Sequence, residues 1–458
     1  MVDDASAAHT PSACYGNLLL TAPSTSPVKR HRTRGSVAES PRAGQNTGDS
    51  AEPHTASARA VSPVQPVAQA PRHTVVVAMT ASASGALTVF LVAAMAVQIR
   101  SALHLGADAF GLVVACYYAG AAAGSIPSGR LAESFGGSRV MRWSALIATV
   151  ILLVLAAAGR SWPVLAGLLL LAGGVAAAMQ NSTNLVLARL VDPGRQGLAF
   201  GLKQAAVPIS AVFAGITVPT IALTVGWRWA FAFASLFTLA TALTVSRIVP
   251  SGATRHRSLQ RQPLRPLRPL VVLSAGFGLG VFAASGLTAF LVTGAVAAGM
   301  SKAVAGLLFA LAGLVAGSSR VLTGFLADRR GRGHLLVVAA MLAAGAGGYF
   351  VLAGASVSTS PALYMAGAFL VYGTGWSWNG LFNFAVVRLY PDSPARATSV
   401  TQTGARLAGI AGPIVFGLLV ATTTYTVAWC VAGSACVASA LVILLGRAMR
   451  GQVVPTGS

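Results

Sequence analysis

The chain has 458 residues, of which 55% are hydrophobic and only 9% charged, against roughly 25% charged in soluble domains. Lys and Arg number 32 against 10 Asp and Glu, a net charge of +22. So few charges cannot cover a soluble surface, whereas a lipid-facing one needs none, and a string of soluble domains is excluded. The basic residues fall in loops between apolar runs, which marks membrane orientation rather than a nucleic-acid partner.

Residues 1–72 are rich in Ser, Ala, Pro, Thr and Arg and lack long apolar periodicity, so they read as a disordered cytoplasmic tail. The Met-Val-Asp-Asp start is no basic n-region, and Leu18–Ala22 is too short for an apolar h-region, which speaks against a signal peptide. Apolar runs then recur at about 74–98, 109–129, 140–159, 162–188, 198–224 and 228–248. A basic stretch follows, and six more runs lie at about 269–294, 303–325, 334–355, 361–387, 398–421 and 425–446. Each is near the ~20 residues that cross a bilayer as a helix, and the alternation of barrel strands is missing.

The expected fold is an all-α membrane protein of twelve transmembrane helices in two pseudo-symmetric six-helix halves. The halves occupy 73–250 and 269–446, joined by a basic cytoplasmic linker at 251–268 and followed by a cytoplasmic tail at 447–458. One set of loops carries Arg139, Arg142, Arg189, Arg195, the linker arginines, Arg329, Arg330, Arg332, Arg388 and Arg396. The other carries only Arg100, Arg160, Arg228 and Lys302. The Arg-rich side is therefore expected to be cytoplasmic, with both termini, in a plasma membrane of the bacterial inner-membrane type. Gly120/Gly124, Gly276/Gly280 and Gly313/Gly317 have the spacing that permits close helix approach.

The halves repeat each other. Gly129-Arg-Leu-Ala-Glu133-Ser-Phe-Gly136 follows the second run, and Gly324-Phe-Leu-Ala-Asp328-Arg-Arg-Gly331 follows the eighth, 195 residues later. Asn184-Leu-Val-Leu-Ala-Arg189 matches Asn383-Phe-Ala-Val-Val-Arg388, and after one gap Lys203-Gln204 falls opposite Thr401-Gln402. Two six-helix halves around a central site is a transporter architecture.

At these residues the sequence resembles the major facilitator superfamily, whose signature between spans 2 and 3 reads Gly-x-Leu-x-Asp-Arg-x-Gly-Arg-Arg. Gly324, Asp328, Arg329, Gly331 and Arg332 fit it. The first copy keeps Gly129 but has Glu133 for Asp, and Ser134, Gly137 and Ser138 where basic residues are usual. The resemblance covers about 74–446. It implies a gate in which Glu133 and Asp328, past the ends of spans 2 and 8, pair with charges such as Arg189 and Arg388 to hold the cytoplasmic side closed. Ala214-Gly215-Ile216-Thr-Val-Pro219 stands where drug/proton antiporters carry Gly-Pro-x-x-Gly-Gly, which weakens that reading without removing it.

Ionisable residues inside a membrane are functional candidates because burying them is costly. Of the ten acids, five lie in the tail, Asp108 at a span start, and Glu133, Asp192, Asp328 and Asp392 in the Arg-rich loops. No carboxylate or histidine lies deep in a span. Arg406, ten residues past Arg396, lies about 15 Å into span 11, so it should face a wet cavity and meet an anion, or be satisfied by carbonyls and amides. Lys203 is shallower and within snorkelling reach of the boundary, and Arg320 is nearer still. Gln180 and Asn184 share a helix face, as do Gln402 and Arg406, while Trp376, Asn379 and Asn383 are spaced to share another. With Gln204 and Lys203 these form the expected substrate-binding set, since amides donate and accept without ionising. Cys14, Cys116, Cys430 and Cys436 have no metal-ligand spacing, and neither metal nor cofactor is expected.

The leading functional expectation is a monomeric secondary or facilitative transporter of a small anionic or polar solute, with possible proton coupling, working in a lipid bilayer by alternating access. A drug or antibiotic exporter working by proton antiport is the alternative, and a non-transporting membrane sensor is a third. No Walker loop, His-Glu-x-x-His or Gly-x-Ser-x-Gly supports an enzyme.

Overall fold

A computed structural model describes residues 72–191, 196–248, 267–330, 333–391 and 393–453. The expectations for the N-terminal tail and the central linker fall almost wholly outside these residues. Among the described residues there is no strand. The helices of the first half are α1 (Arg72–Ala94), α2 (Ala96–Leu103), α3 (Ala107–Phe135), α4 (Gly137–Ala158), α5 (Trp162–Leu190), α6 (Gln196–Thr217) and α7 (Trp227–Ile248). Those of the second half are α8 (Leu267–Ala297), α9 (Lys302–Arg330), α10 (His334–Ser358), α11 (Pro361–Leu370), α12 (Asn379–Leu389), α13 (Pro394–Thr422) and α14 (Tyr425–Val453). The last helix therefore runs past the expected boundary at 447.

Ten segments among the described residues are long and apolar enough to cross a membrane. One of them, Gly201–Val245, is 45 residues long, about twice what a crossing needs. Within it a π-helical stretch, Val218–Gly226, follows α6 and ends at Gly226, whose φ of +107° no L side chain adopts easily, and α7 starts at the next residue. The run at 361–389 is not one helix. A second π-helical stretch, Val371–Gly375, and a turn at Trp376–Trp378 split it into α11 and α12. This corrects the expectation that Trp376, Asn379 and Asn383 share a continuous face.

The glycine spacings mark close approaches. A Cβ on Gly120 would lie 1.8 Å from the Leu170 carbonyl oxygen of α5. One on Gly276 would lie 2.7 Å from Ile443 of α14, and one on Gly313 3.0 Å from the Pro208 carbonyl oxygen of α6. Gly120→Val is therefore expected to lower the melting temperature in detergent, since forced overpacking costs about 1–3 kcal/mol. An unchanged melting curve would show that α3 and α5 do not approach this closely.

Within the halves, α3 packs on α5, α4 on α7, α8 on α13, and α14 on both α8 and α10. Two seams join the halves, α3 against α13 and α6 against α9. Since α3 and α9 carry the two motif copies, and α6 and α13 the matched Lys203 and Gln402 regions, the seams are related by the internal repeat.

Candidate functional site

The seams close tightly toward the Arg-poor side. On the first, Gly417 meets Ala107, and a Cβ on Gly111 would lie 2.2 Å from the Pro413 carbonyl oxygen. Further in, Gly409 packs on the Tyr118 ring. On the second, Gly306 faces Val218, Gly215 faces Gly306 and Ala310, and Gly313 faces Ala211. Small residues let the backbones touch, and dispersion needs such contact.

At the inner end of each seam an arginine of the second half reaches a carbonyl of the first. Arg406 on α13 donates from Nη1 to the Ala121 oxygen of α3 at 2.6 Å. Arg320 on α9 donates from Nη1 to the Gln204 oxygen of α6 at 2.9 Å and from Nη2 to the Trp376 oxygen at 3.3 Å. A carbonyl dipole offsets part of the cost of a charge in the membrane but does not neutralise it. Arg406 is half-buried.

With Gly324 as the helix end, Arg320 would lie close to the boundary. In fact α9 continues to Arg330, which sets Arg320 about 15 Å inside its Arg-rich end. Its guanidinium lies 4.2 Å over the Trp376 ring. Tyr372 stacks on the same indole at 5.5 Å, Phe90 meets it edge-on at 6.2 Å, and Trp376 Nε1 donates to Thr288 at 3.2 Å. Trp376 thus serves Arg320 and α8 rather than the amide row. The signal that would have found Arg320 is the absence of proline between it and Arg330, since the single Gly324 does not end a helix held by its neighbours.

Two amide-centred pairs are repeat counterparts. Lys203 Nζ donates to Asn184 Oδ1, and Gln402 Nε2 donates to Asn383 Oδ1 at 3.3 Å. Lys203 is only 2% exposed, so it does not snorkel, contrary to the expectation from its depth; a partner amide on α5 holds it inside. Both pairs span 19 residues, so Lys203 corresponds to Gln402 and the gap placed between the repeats is not needed. Asn379 Oδ1 is buried without a partner. Gln180 is half-buried, and Gln204 enters the site through its main-chain carbonyl rather than its amide.

Of the gate residues, Arg388 lies 4.9 Å over Phe384 and Arg329 4.2 Å over Phe325, each on its own helix. Glu133 is exposed at the end of α3, Arg189 is half-buried in the last turn of α5, and Gly129 lies beside Asn181, whose Nδ2 donates to Ser128 Oγ at 2.9 Å. Gly324 faces open space. The Asp328 side chain, Gly331 and Arg332 lie outside what the structure describes. A depression of about 460 Å³ at the Arg-poor end, lined by Ser356, Thr423, Thr424 and Tyr425 among others, holds none of the expected residues.

Residues 76–413 match the sequence pattern described as Major Facilitator Superfamily. Two curated relatives from Mycobacterium tuberculosis, the uncharacterized MFS-type transporters MT3072 (strain CDC 1551 / Oshkosh) and Rv2994 (strain ATCC 25618 / H37Rv), are each 29% identical over 280 residues. That alignment covers 58% of this chain and 61% of theirs, so the chain spans less than two thirds of their length. Among solved structures, a bacterial homologue of the human lysosomal transporter Spinster, inward-facing and unoccupied, is similar at a TM-score of 0.61 and 15% identity, covering 82% of this chain and 95% of that one. A D-xylose-proton symporter is similar at 0.68 and 16%, covering 81% and 96%. At these identities the likeness concerns the fold alone.

Proposed function

The chain belongs to the Major Facilitator Superfamily, and from that premise we propose that it moves a small anionic or polar solute across the bilayer by alternating access of its two halves. Counting Gly201–Val245 as two crossings and the interrupted 361–389 as one gives twelve spans, with both termini on the Arg-rich, cytoplasmic side of a plasma membrane. The protein works as a monomer, and the conformation described above is the one closed toward the Arg-poor side. Opening there separates both seams, while the motif residues around Glu133 and Asp328 close the opposite side by meeting Arg189 and Arg388.

The observation that carries the anionic reading is Arg406. It lies mid-span, bonds through a single N–H to a main-chain carbonyl, and no carboxylate lies in the depth of any span to neutralise it. A guanidinium has five N–H donors, so most of its hydrogen-bonding capacity is left for a ligand. The amides of Asn383, Gln402, Asn379 and Gln180 supply neutral donors and acceptors for the rest of the solute. The Lys203–Asn184 pair occupies the equivalent position in the first half, with Asn184 as its exposed member.

A thermal-stability panel in detergent tests this reading, with small organic and inorganic anions beside neutral and cationic drugs. A ligand at 100 times its Kd adds about 2.7 kcal/mol to the folded state. Anions are expected to raise the melting temperature of wild type and to lose that effect in Arg406→Ala. Stabilisation by neutral or cationic hydrophobic compounds alone, equal in Arg406→Ala, would make Arg406 structural and favour an exporter.

A further inference from the structure

We propose that Lys203 carries the coupling ion of this protein, a proton taken up with the anion and exchanged with water beside Asn184. This rests on the anionic transport reading and names the ion that accompanies the solute. Three cations lie in the depth of the spans, Lys203, Arg320 and Arg406. A guanidinium keeps its charge in a protein, whereas an amine can give up its proton. Lys203 is 2% exposed, its Nζ meets Asn184 Oδ1, and no carboxylate lies in the depth of any span to pair with it. An ammonium out of water and without a counter-ion is costly. Two events relieve that cost, loss of the proton or arrival of an anion between the halves.

The helices packed on α6 are α1, α5 and α9. Of these, α1 offers Arg72 and His73, both in its first turn, and α5 offers Arg189, in its last turn. On α9, Asp328, Arg329 and Arg330 stand at the Arg-rich end and Lys302 at the other. The charge of α9 that touches this stretch of α6 is Arg320, which holds the carbonyl of Gln204, the residue after Lys203. A fixed positive charge there adds to the cost of the ammonium. Asn184 suits both states of the amine. Its oxygen accepts from an ammonium, and after a half-turn of the amide its N–H donates to a neutral amine. Asn184 is exposed, and the exposure is to the interior. Helix α5 meets α1 through Ala176 and Met179, against Gly85, and α3 through Gly173 and Asn181. Helical spacing points Asn184 between these two lines of contact and away from Leu171, which is 59% exposed on the outer face. Water at the amide takes the proton when the anion leaves, and the amine is neutral as the empty protein returns. Gln402, the counterpart in the second half, does not ionise.

The test uses the full chain in detergent. Its sequence holds three lysines, Lys29, Lys203 and Lys302, so selective isotope labelling at lysine Cε gives an NMR spectrum simple enough to assign with Lys29→Arg and Lys302→Arg. The probes are nitrate, methanesulfonate and benzenesulfonate, which as anions of strong acids keep their own charge at every working pH. Wild type should bind at least one of them, with a Kd that rises about tenfold from acid to alkaline pH, within the range usual for coupled sites. By linkage the bound anion tightens proton binding at Lys203 by the same factor. This is read as an upward move in the pH at which the Lys203 signal titrates, with Lys302 unmoved. Lys203→Arg fixes the charge and Lys203→Met removes it, so in both the Kd should lose its pH dependence, with tighter binding in the arginine variant. Wild-type spectra decide even where a variant does not fold. A Lys203 signal unmoved by bound anion, or a pH dependence of Kd that survives in both variants, overturns the proton assignment and leaves the anionic reading standing. A Lys203 signal fixed in one protonation state throughout overturns it without any ligand. Failure of every probe to bind wild type removes the anionic reading, and the coupling with it.

Discussion

Gly111→Leu is expected to lower turnover about a hundredfold while the protein still folds. A Cβ at this position would lie 2.2 Å from the Pro413 carbonyl oxygen and 3.3 Å from the Gly417 α-carbon, backbone atoms of α13 that cannot rotate away. Overpacking of this kind costs about 3 kcal/mol, and every 1.4 kcal/mol is about tenfold in a population. The contact is between halves rather than within one, so the protein escapes the clash by separating α3 from α13. The cost therefore falls on the state closed toward the Arg-poor side, and a transporter that cannot reach that state cannot complete its cycle. Spin labels at His104 and Thr424, both exposed loop residues on the Arg-poor side, should move apart in the variant when placed in a cysteine-free background. Gly347→Leu, where no atom lies within 4 Å of the added Cβ, should change neither distance nor turnover. Unaltered label distances and wild-type transport in Gly111→Leu would sink the idea that this seam must open and close.

The membrane class and the helical character of the chain were legible because hydropathy over about 20 residues is a one-dimensional signal that no tertiary detail can mask. The repeat was legible too, because Asn184 and Asn383 recur with their arginines. What sequence reasoning misplaced were depths and partners. Lys203 looked like a boundary lysine because depth was measured along one helix, and nothing in that helix shows that α5 offers Asn184 to it. Arg320 looked peripheral because Gly324 was taken as a helix end, whereas glycine in a helix held by its neighbours costs only about 1 kcal/mol and α9 runs through it. Trp376 was put on the amide face by helical spacing, which fails where the backbone changes from α to π pitch at Val371–Gly375. The same stretch ends at Gly375, which lies close against Gly345 of α10.

The pair Asn184–Lys203 gives the second large effect, and its sign differs between partners. Lys203 is 2% exposed, so its ammonium depends on the Asn184 amide oxygen. Asn184→Leu takes that acceptor away and leaves a buried donor without a partner, at an expected cost of about 3 kcal/mol. Lys203→Met removes the charge and keeps much of the volume. The amide it abandons is exposed and turns to water, so this change should be close to neutral. In the double variant the loss from Asn184→Leu should largely disappear, because the charge that made it costly is gone. Melting curves of the four proteins in one detergent measure the coupling directly. Equal destabilisation by the two single changes, adding in the double, would mean that the two side chains do not act as a pair. The same cycle at Asn383 and Gln402 is the internal control. That pair has the same 19-residue spacing but no charge, and a neutral bond contributes only about 1 kcal/mol, so its coupling should be several times smaller. A large coupling at Lys203 and a small one at Gln402 would locate the asymmetry between the halves in a single positive charge.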